Sequence, residues 1–522
     1  MIFYYIYLAL LLALMIKQTI YHLAIFQQEH YDMIKYAQNS YRQYRNEVSS
    51  ILNYGILLLV GSYFLWENNW ILISSSFLVI LSYISIKPLI IPLKVTKRII
   101  RLIITLIILL AIIIIEGRYV TIPLVSSFCL LIVPWLIILS NLINYPVEKL
   151  IKMKFIKQAK KRIDQSKILK IAITGSFGKT STKNILNSLL NKAFLTLPTP
   201  KSYNTPLGIA KTINEYLYDH HEIFIVEMGA FRKKEIAYLT NFIKPDIGIL
   251  TDVGPQHLST FKNIETILKT KMELFESANK PRLAIMNFDN PLIRNYAISE
   301  LKEMRIIGFG IKEEGVDYQA QNIQINKGET TFDLYQRGEV RFNIKTKLIG
   351  YHNIYNLIAG IATILEMNQL GYQSSVEEII KKAYEITNTP HRLSYVKKGL
   401  WDIYDDSYNA NVIGFTNALE VIKMSSLLKI IITPGIVDAG VEIKNINETV
   451  AKTMIEIIDE VYLVENEATR YIKQLFINEG YQKYVIVNSF KNAYQKIKEK
   501  YDQKEICLLI ENDLPDNFLE RR

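Results

Sequence analysis

A short glycine-containing segment, Thr174-Gly175-Ser176-Phe177-Gly178-Lys179-Thr180-Ser181, carries residue types suited to phosphate chemistry. An apolar run at residues 168–173 precedes it and predicts a buried strand, and a helical pattern follows it through Leu190. A strand, a glycine turn and a helix start place backbone N–H groups around phosphate oxygens. Lys179 would reach the β- and γ-phosphates, and the Thr180 hydroxyl would ligate Mg²⁺. Because the spacing is shorter than in the common P-loop pattern, the segment by itself predicts nucleotide binding only.

This loop resembles the nucleotide loop of the Mur ligase family, and further segments follow in that family's order. The matching segments are Tyr203-Asn204-Thr205-Pro206-Leu207-Gly208, Glu227-Met228-Gly229-Ala230, Gln256-His257-Leu258, Lys269-Thr270-Lys271-Met272-Glu273-Leu274-Phe275, Met286-Asn287-Phe288-Asp289-Asn290, Gly350-Tyr351-His352-Asn353-Ile354-Tyr355-Asn356, Pro390-His391-Arg392 and Asp405-Asp406-Ser407-Tyr408-Asn409-Ala410-Asn411. A single match would mean little. An ordered series over residues 168–415 is a strong resemblance.

The resemblance implies two metal positions and a modified lysine. Glu227 would bind the ATP-side Mg²⁺ together with Thr180, since Mg²⁺ prefers hard oxygen ligands. Lys271 stands at the position that is carbamoylated in many members of the family. Carbamoylation would turn its cationic amine into an anion with two oxygens, which could orient a second Mg²⁺ together with His257.

The resemblance also implies residues that bind nucleotide and substrate. Arg392 would neutralise phosphate charge when the C-terminal domain closes, and Asp406 would hold the nucleotide from the other side. Asn204 and Thr205 would contact the substrate. The predicted nucleotide-binding residues are Gly175, Ser176, Gly178, Lys179, Thr180, Ser181, Asn287, Asn356, Arg392 and Asp406.

The implied activity is that of an ATP-dependent, ADP-forming ligase that joins a carboxylate to an amine. Because carboxylate oxygen is a poor leaving group, ATP would first convert the carboxylate to an acyl phosphate. Phosphoryl transfer depends mainly on positioning and charge neutralisation, which accounts for a lysine, metal ions and an arginine. Residues 405–411 are closest to the branch of the family that adds D-alanyl-D-alanine to a muramoyl tripeptide. The expected role is in the synthesis of a cell-wall precursor or a cell-envelope polymer.

These residues require a scaffold of several domains, because 522 residues are too many for one hydrophobic core. We expect a transmembrane helical domain with a basic linker over residues 1–165. An α/β P-loop domain of the Mur ligase type, binding ATP, should follow over 166–392. Residues 393–522 should form a Rossmann-like α/β domain, with strands predicted at 429–433, 460–464, 484–487 and 506–510.

The membrane prediction rests on apolar length and loop charge. Apolar stretches occur at residues 2–16, 51–66, 70–86, 99–115 and 120–143, several of them close to the shortest length that spans a bilayer. Lys and Arg gather in alternate connections, and such residues accumulate on the cytoplasmic side. The pattern predicts five spans, an outside N-terminus, and a multi-pass cell-membrane protein whose catalytic domains are cytoplasmic.

Charge and cysteine content exclude other classes of function. The net charge is +11, but the basic residues lie beside apolar segments instead of forming a stripe with interleaved aromatics. The expected partner is therefore a membrane surface and not nucleic acid. The two cysteines, Cys129 and Cys507, form no CxxC pair, so neither a disulfide framework nor a structural zinc site is expected.

Two departures from the family bear on the substrates. Members often carry a Lys-Gly-Ser loop after the last strand, where this chain has Glu511-Asn512-Asp513-Leu514-Pro515-Asp516. That difference leaves the amine substrate open. In soluble members an N-terminal domain holds a UDP-sugar, and here the apolar stretches occupy its place. The carboxylate substrate could therefore be lipid-linked or polymeric instead of UDP-linked.

Two other functions remain open at the level of sequence. One is a membrane ligase like poly-γ-glutamate synthase, which would turn over ATP with glutamate and without a muropeptide. The other is a nucleotide-gated membrane scaffold or transporter subunit that uses the P-loop for conformational coupling. A scaffold would not need Glu227, His257 and Lys271 together.

Overall fold

The structure of the protein is a computed structural model. It describes residues 2–29, 31–38, 48–66, 69–86, 92–116, 122–201, 203–255, 261–326, 328–386, 393–407, 412–437 and 442–512. The described residues divide into two compact units, one up to Lys154 and one from Phe155 onward. The domain boundaries expected at residues 165 and 392 stay a prediction.

Helices cover each of the five apolar stretches. They are α1 (Ile2–Gln28), α2 (Val48–Trp66), α3 (Asn69–Ser85), α4 (Lys97–Glu116) and α5 (Ile122–Gln165). The first and last extend well beyond the apolar residues, because the Lys, Gln and Glu residues that follow are good helix formers. The basic segment expected as a linker is therefore the last part of α5. The helix also contains Pro134 and Pro146, which both lie before that segment.

Three of these helices are long and apolar enough to cross a membrane. The candidate spans within the described residues are Tyr4–Gln28, Lys97–Glu116 and Ser127–Gln165. The apolar parts of the other two helices, Ile51–Val60 and Ile73–Ser85, are shorter. By length and composition the described chain offers three candidate spans, where the apolar stretches predicted five.

Side-chain hydrogen bonds join the helices of this first unit. The hydroxyls of Tyr7 in α1 and Ser127 in α5 lie 2.6 Å apart. Ser82 in α3 donates to Oδ1 of Asn53 in α2 at 2.8 Å. Such bonds hold helices together in a bilayer, where apolar surface supplies no driving force for association.

Strands and helices alternate through the central part of the second unit. Its elements are β1 (Leu169–Thr174), α6 (Lys179–Leu190), β2 (Thr196–Pro198), α7 (Pro206–Tyr216), β3 (Ile223–Glu227), α8 (Glu235–Ile243), β4 (Ile247–Leu250), α9 (Ile264–Glu276), β5 (Leu283–Asn287), α10 (Pro291–Glu300), β6 (Arg305–Gly310), β7 (Tyr318–Asn326), β8 (Glu329–Gln336), β9 (Glu339–Thr346), α11 (Tyr351–Asn368) and α12 (Val376–Glu385).

The strands form one nine-stranded mixed sheet in the order β2-β3-β1-β4-β5-β6-β7-β8-β9. The strands from β2 to β7 pair in parallel, whereas β8 and β9 extend the sheet antiparallel. Central strands such as β3 are buried along their whole length, because helices cover both faces of the sheet.

A second mixed sheet follows, with six strands. Its elements are β10 (Ser394–Lys398), β11 (Trp401–Asp406), α13 (Val412–Lys423), β12 (Leu428–Thr433), α14 (Ile443–Ile457), β13 (Glu460–Val464), α15 (Glu467–Asn478), β14 (Tyr484–Val487), α16 (Phe490–Tyr501) and β15 (Ile506–Glu511). The strand order is β10-β11-β15-β12-β13-β14, and all pairs are parallel except β10 with β11. The predicted α/β architecture after the helical region is confirmed, including the four predicted strands.

The sheet topology determines where functional side chains meet. Strands β3, β1, β4 and β5 are neighbours and run in parallel, so their carboxyl ends share one edge of the sheet. Ligands of open α/β sheets bind in the crevice at that edge. The residues at the ends of the four strands are Glu227, Thr174, Leu250 and Asn287.

Candidate active site

The glycine loop between β1 and α6 needs both of its glycines. Gly175 has φ 151° and Gly178 has φ 79°, which L side chains rarely adopt. A Cβ on Gly175 would overlap Oγ1 of Thr251, and one on Gly178 would lie 2.6 Å from Oδ1 of Asn356. The glycines therefore allow the loop to pack directly against the end of β4 and against α11.

Hydrogen bonds from the residues after β4 hold this loop in place. The backbone N–H of Ser176 donates to the carbonyl of Asp252 at 2.7 Å. The hydroxyl of Thr251 donates to the carbonyl of Phe177 at 2.5 Å, and that of Ser176 donates to Gly254 at 3.1 Å. The protein's own hydrogen bonds thus hold the loop in one conformation.

The first turn of α6 carries the predicted phosphate- and metal-binding residues. The ammonium of Lys179 donates to the carbonyls of Gly175 and Ser176 at 2.6 Å and 2.9 Å, so it stays over the loop. The hydroxyl of Thr180 donates to Oε2 of Glu227 at 3.0 Å. Ser181 lies on the wall of the same cavity. The geometry brings the three helix residues and the end of β3 together.

Glu227 is the centre of a buried polar cluster. Its Oε2 accepts from Nζ of Lys183 at 3.1 Å, and its Oε1 accepts from Nδ2 of Asn204 at 3.1 Å. The backbone N–H of Glu227 donates to the hydroxyl of Thr199 at 3.1 Å. The carboxylate is therefore fixed in direction as well as in position.

Lys183 is a member of this cluster that was not predicted from the sequence. It lies one helical turn after Lys179, and residues four apart on a helix share a face. That spacing could have indicated that both ammonium groups face the end of the sheet. A lysine on a helix is normally solvent-exposed, however, and only the burial of this side chain distinguishes it.

Lys271 is a buried lysine in the middle of α9 and lies on the wall of the cavity. Burial and, to a lesser degree, the positive charge of Lys179 lower its pKa to about 7, whereas Glu273 and Glu235 oppose the shift. A large fraction of this amine is therefore neutral near pH 7. A neutral amine is nucleophilic, as the predicted carbamoylation requires.

Asn287 and Asn356, expected on the adenosine side, line the same cavity. Oδ1 of Asn287 accepts from the backbone N–H of Asp289 at 3.1 Å, and Oδ1 of Asn356 accepts from the hydroxyl of Thr182 at 2.9 Å. Asp289 is partly buried, which raises the pKa of its carboxyl. Hydrogen bonds from Tyr355 and from backbone N–H groups outweigh this and leave its pKa lowered. This wall of the cavity is therefore polar and rigid.

The second sheet supplies the opposite wall. Asp406, at the end of β11, lines the cavity together with Gly414, Asn417 and Glu420 of α13. Oδ1 of Asp406 accepts from the backbone N–H of Leu393 at 2.9 Å. Asp406 was predicted from the sequence, whereas Asn417 and Glu420 were not, because they become neighbours of the nucleotide loop only through the packing of α13.

The cavity has a volume of about 800 Å³, which is within the range of small-molecule and cofactor sites. Thr205 is not among the described residues that line it. Its side chain instead accepts from the backbone N–H of Gly208 at 3.3 Å as the N-cap of α7. The substrate role of Thr205 stays a prediction, whereas its neighbour Asn204 is part of the cavity wall.

Two predicted site residues, His257 and Arg392, lie outside the described residues. Across the described ranges, no three His, Cys, Asp or Glu side chains form a cluster that could hold a metal ion. The hydroxyl of Thr180 and the carboxylate of Glu227 do fit Mg²⁺, which proteins hold through one or two carboxylates together with phosphate oxygens.

Comparison with known proteins finds similar sequences over the central part of the chain. Residues 173–364 match the family model described as Mur ligase middle domain. The chain is 31 % identical over 285 residues to UDP-N-acetylmuramoyl-tripeptide--D-alanyl-D-alanine ligase from Buchnera aphidicola subsp. Baizongia pistaciae, covering 53 % of this chain and 58 % of that protein. The match covers 58 % of the length of this relative, and it also covers 58 % of the enzyme of the same name from Buchnera aphidicola subsp. Acyrthosiphon pisum.

Solved structures show the same fold. MurF from Acinetobacter baumannii superposes with a TM-score of 0.61 at 23 % identity, covering 69 % of this chain and 77 % of that chain. MurF ligase from Thermotoga maritima in complex with ADP superposes with a TM-score of 0.60 at 23 % identity, covering 69 % of this chain and 80 % of that chain. At this level of identity the likeness establishes the architecture around the cavity.

Proposed function

We propose, from the match of residues 173–364 to the Mur ligase middle domain, that the chain is an ATP-dependent, ADP-forming ligase that joins a carboxylate to an amine. The observation that carries the proposal is the meeting of Lys179, Thr180, Glu227 and Lys271 in one cavity at the carboxyl ends of parallel strands. A nucleotide-binding scaffold would need only the loop. Glu227 adds a carboxylate that can bind Mg²⁺, and Lys271 adds an amine that can be carbamoylated. A ligase would use both groups.

Each group of residues in the cavity has its own role in the phosphoryl-transfer step. The loop N–H groups and Lys179 would hold and neutralise the phosphates of ATP, while Thr180 and Glu227 would hold Mg²⁺. Bound Mg²⁺ would neutralise the charge that develops on the transferred phosphoryl group. The substrate carboxylate then attacks the γ-phosphorus, ADP leaves, and an acyl phosphate remains for attack by the amine.

Lys271 acts in its carbamoylated form in this proposal. Its burial and its lowered pKa support carbamoylation, since CO₂ adds only to a neutral amine. The added carboxylate would be a ligand for a second Mg²⁺, with His257 as the partner ligand proposed from sequence. Carbamoylation would also give Lys271 a negative charge, which the positive charge of Lys179 would stabilise.

The second sheet closes the site from the opposite side. Asp406, Asn417 and Glu420 face the cavity and are placed to contact the nucleoside part of ATP. Arg392, which lies just before β10, would add positive charge beside the phosphates. The resemblance to the Mur ligase family places the incoming amine on this side, where it would attack the carbonyl carbon of the acyl phosphate and release phosphate as the amide bond forms.

The substrates are proposed from chemistry and from the printed names of relatives. The relatives act on a UDP-N-acetylmuramoyl-tripeptide and D-alanyl-D-alanine, as their name states. In the part of this chain that the structure describes, three candidate membrane spans precede the central domain, and α5 continues with exposed Lys149, Lys152 and Lys154. We therefore place the enzyme in the cell membrane with its catalytic domains in the cytoplasm, acting on a lipid-linked cell-wall precursor.

A substrate comparison tests this proposal. Phosphate release is measured with full-length protein in lipid nanodiscs, using UDP-linked and polyprenyl-linked muropeptides with D-alanyl-D-alanine. Preference for the lipid-linked form is expected. Strict preference for the soluble form would reject the lipid-linked substrate but keep the ligase, and glutamate-dependent turnover without muropeptide would favour a ligase like poly-γ-glutamate synthase.

A further inference from the structure

Lys183 and Glu227 form a buried ion pair beside the phosphate loop. Nζ of Lys183 lies 3.1 Å from Oε2 of Glu227, and each side chain is only 2 % exposed. The same oxygen accepts from the hydroxyl of Thr180 at 3.0 Å. The ammonium therefore contacts the carboxylate oxygen that lies closest to the other proposed metal ligand.

Contacts on both sides fix the position of this pair. Nζ of Lys183 also donates to the backbone carbonyl of Lys201 at 2.5 Å. Oε1 of Glu227 accepts from Asn204 at 3.1 Å. Lys183 cannot turn away without leaving a buried charge and a carbonyl unpaired, which is costly. The pair is therefore a permanent part of the site.

The charges determine how the pair affects a divalent cation. An ammonium at ion-pair distance cancels the charge of Glu227 and repels a cation placed beside it, and a buried site screens that repulsion weakly. Mg²⁺ also gives up its hydration water reluctantly. Thr180 and Glu227 alone are therefore a weak binding site for free Mg²⁺. The negative phosphates of a bound nucleotide would offset the repulsion by Lys183 and make Mg²⁺ binding favourable.

We propose that Lys183 is a positioning residue that restricts metal binding at Glu227 to the nucleotide-bound state. Mg²⁺ then enters together with the nucleotide and not ahead of it. The inference rests on the proposed function for the identity of that nucleotide as ATP. By linkage, metal and nucleotide strengthen each other's binding by the same factor.

Metal binding without nucleotide provides the test. Binding of Mn²⁺, as a probe for Mg²⁺, is measured on full-length protein in nanodiscs, with and without a non-hydrolysable ATP analogue. Lys183→Met removes both charge and donor, whereas Lys183→Gln removes the charge and keeps a donor toward Lys201. Lys269→Met is the control, because it removes a lysine from an exposed ion pair with Glu265.

Both Lys183 variants are expected to bind Mn²⁺ without nucleotide at least about tenfold more tightly than the wild type and the control do. The factor by which the ATP analogue strengthens Mn²⁺ binding should shrink accordingly. A lysine that only packs the helix would not tighten metal binding when it is removed. Unchanged or weakened nucleotide-free binding in Lys183→Gln would overturn the inference. Since this measurement needs no ligase activity, failure of the proposed function would show separately, as absence of amide product.

Discussion

Lys179 and Lys271 line one cavity, and the positive charge of Lys179 adds to burial in lowering the pKa of Lys271 to about 7. The lysine that we propose to hold phosphate thereby helps to keep the amine of a second lysine neutral. This relationship connects the nucleotide loop with the residue that we propose to be carbamoylated.

Replacing Lys271 with alanine should lower ligase activity by roughly a hundredfold or more, because a charge-stabilising group near the reacting phosphate is lost. Removing CO₂ and bicarbonate from the buffer should inactivate the wild type reversibly, and intact-protein mass spectrometry should show the loss of one carboxylate group. The control is Lys269→Ala, two residues away on the same helix and exposed. If the wild type were indifferent to bicarbonate, carbamoylation would have to be abandoned.

Replacing Glu227 with glutamine should raise the Mg²⁺ concentration needed for half-maximal activity by about tenfold or more, because Mg²⁺ prefers carboxylate oxygen. The amide still fills the space between Asn204 and Lys183. A titration of activity with Mg²⁺ at saturating ATP measures the effect. An unchanged Mg²⁺ requirement would remove Glu227 from the metal site.

Replacing Gly178 with alanine should weaken nucleotide binding by about tenfold or more, measured by calorimetry with an ATP analogue. The added methyl would meet Oδ1 of Asn356, and the loop would have to shift. Gly371 is a matched control, since it also has a positive φ but an added Cβ there would meet nothing within 4 Å. Both substitutions should cost about 1–2 kcal/mol of stability through backbone strain, and only the first should affect the nucleotide.

Replacing Glu511 with glutamine should remove a pH dependence of stability. Burial raises the pKa of the Glu511 carboxyl well above 4.5, and Asp406 and Asp405 add to the shift. The folded state therefore keeps a proton that the unfolded state releases. As the pH rises above 4.5, the ordinary pKa of a glutamate carboxyl, this group destabilises the folded state increasingly. The thermal midpoint of Glu511→Gln should exceed that of the wild type more at about pH 8 than at about pH 5. Equal differences at both pH values would contradict this, and the exposed Glu505→Gln serves as control.

Much of the site could be predicted from the sequence, because the chemistry of its loop is local. Gly175 and Gly178 lie at fixed spacing between an apolar run and a helical pattern. That order predicts Lys179 and Thr180 in the first turn of a helix, which is where the structure has them. Glu227 could be placed because it ends an apolar strand, and parallel strands bring their ends to a common edge.

Other residues could not be predicted, because their roles arise from tertiary packing. Lys183 looks like a surface lysine until the end of β3 and the carbonyl of Lys201 enclose it. Asn417 and Glu420 have no distinguishing pattern in sequence, and they reach the cavity through the docking of α13. The helices α1 and α5 exceed their apolar stretches, because helix propensity does not end where hydrophobicity does.

ATP-dependent formation of an amide is the activity on which the whole proposal depends, and product analysis measures it. Full-length protein in nanodiscs is incubated with ATP, Mg²⁺ and a panel of carboxylate and amine pairs, and products are identified by mass spectrometry. We expect an amide product for at least one pair, formed in equal amount with ADP and lost in Lys179→Met. Binding of ATP without any amide product, combined with normal function of Lys271→Ala in cells, would refute the ligase and favour a nucleotide-gated scaffold.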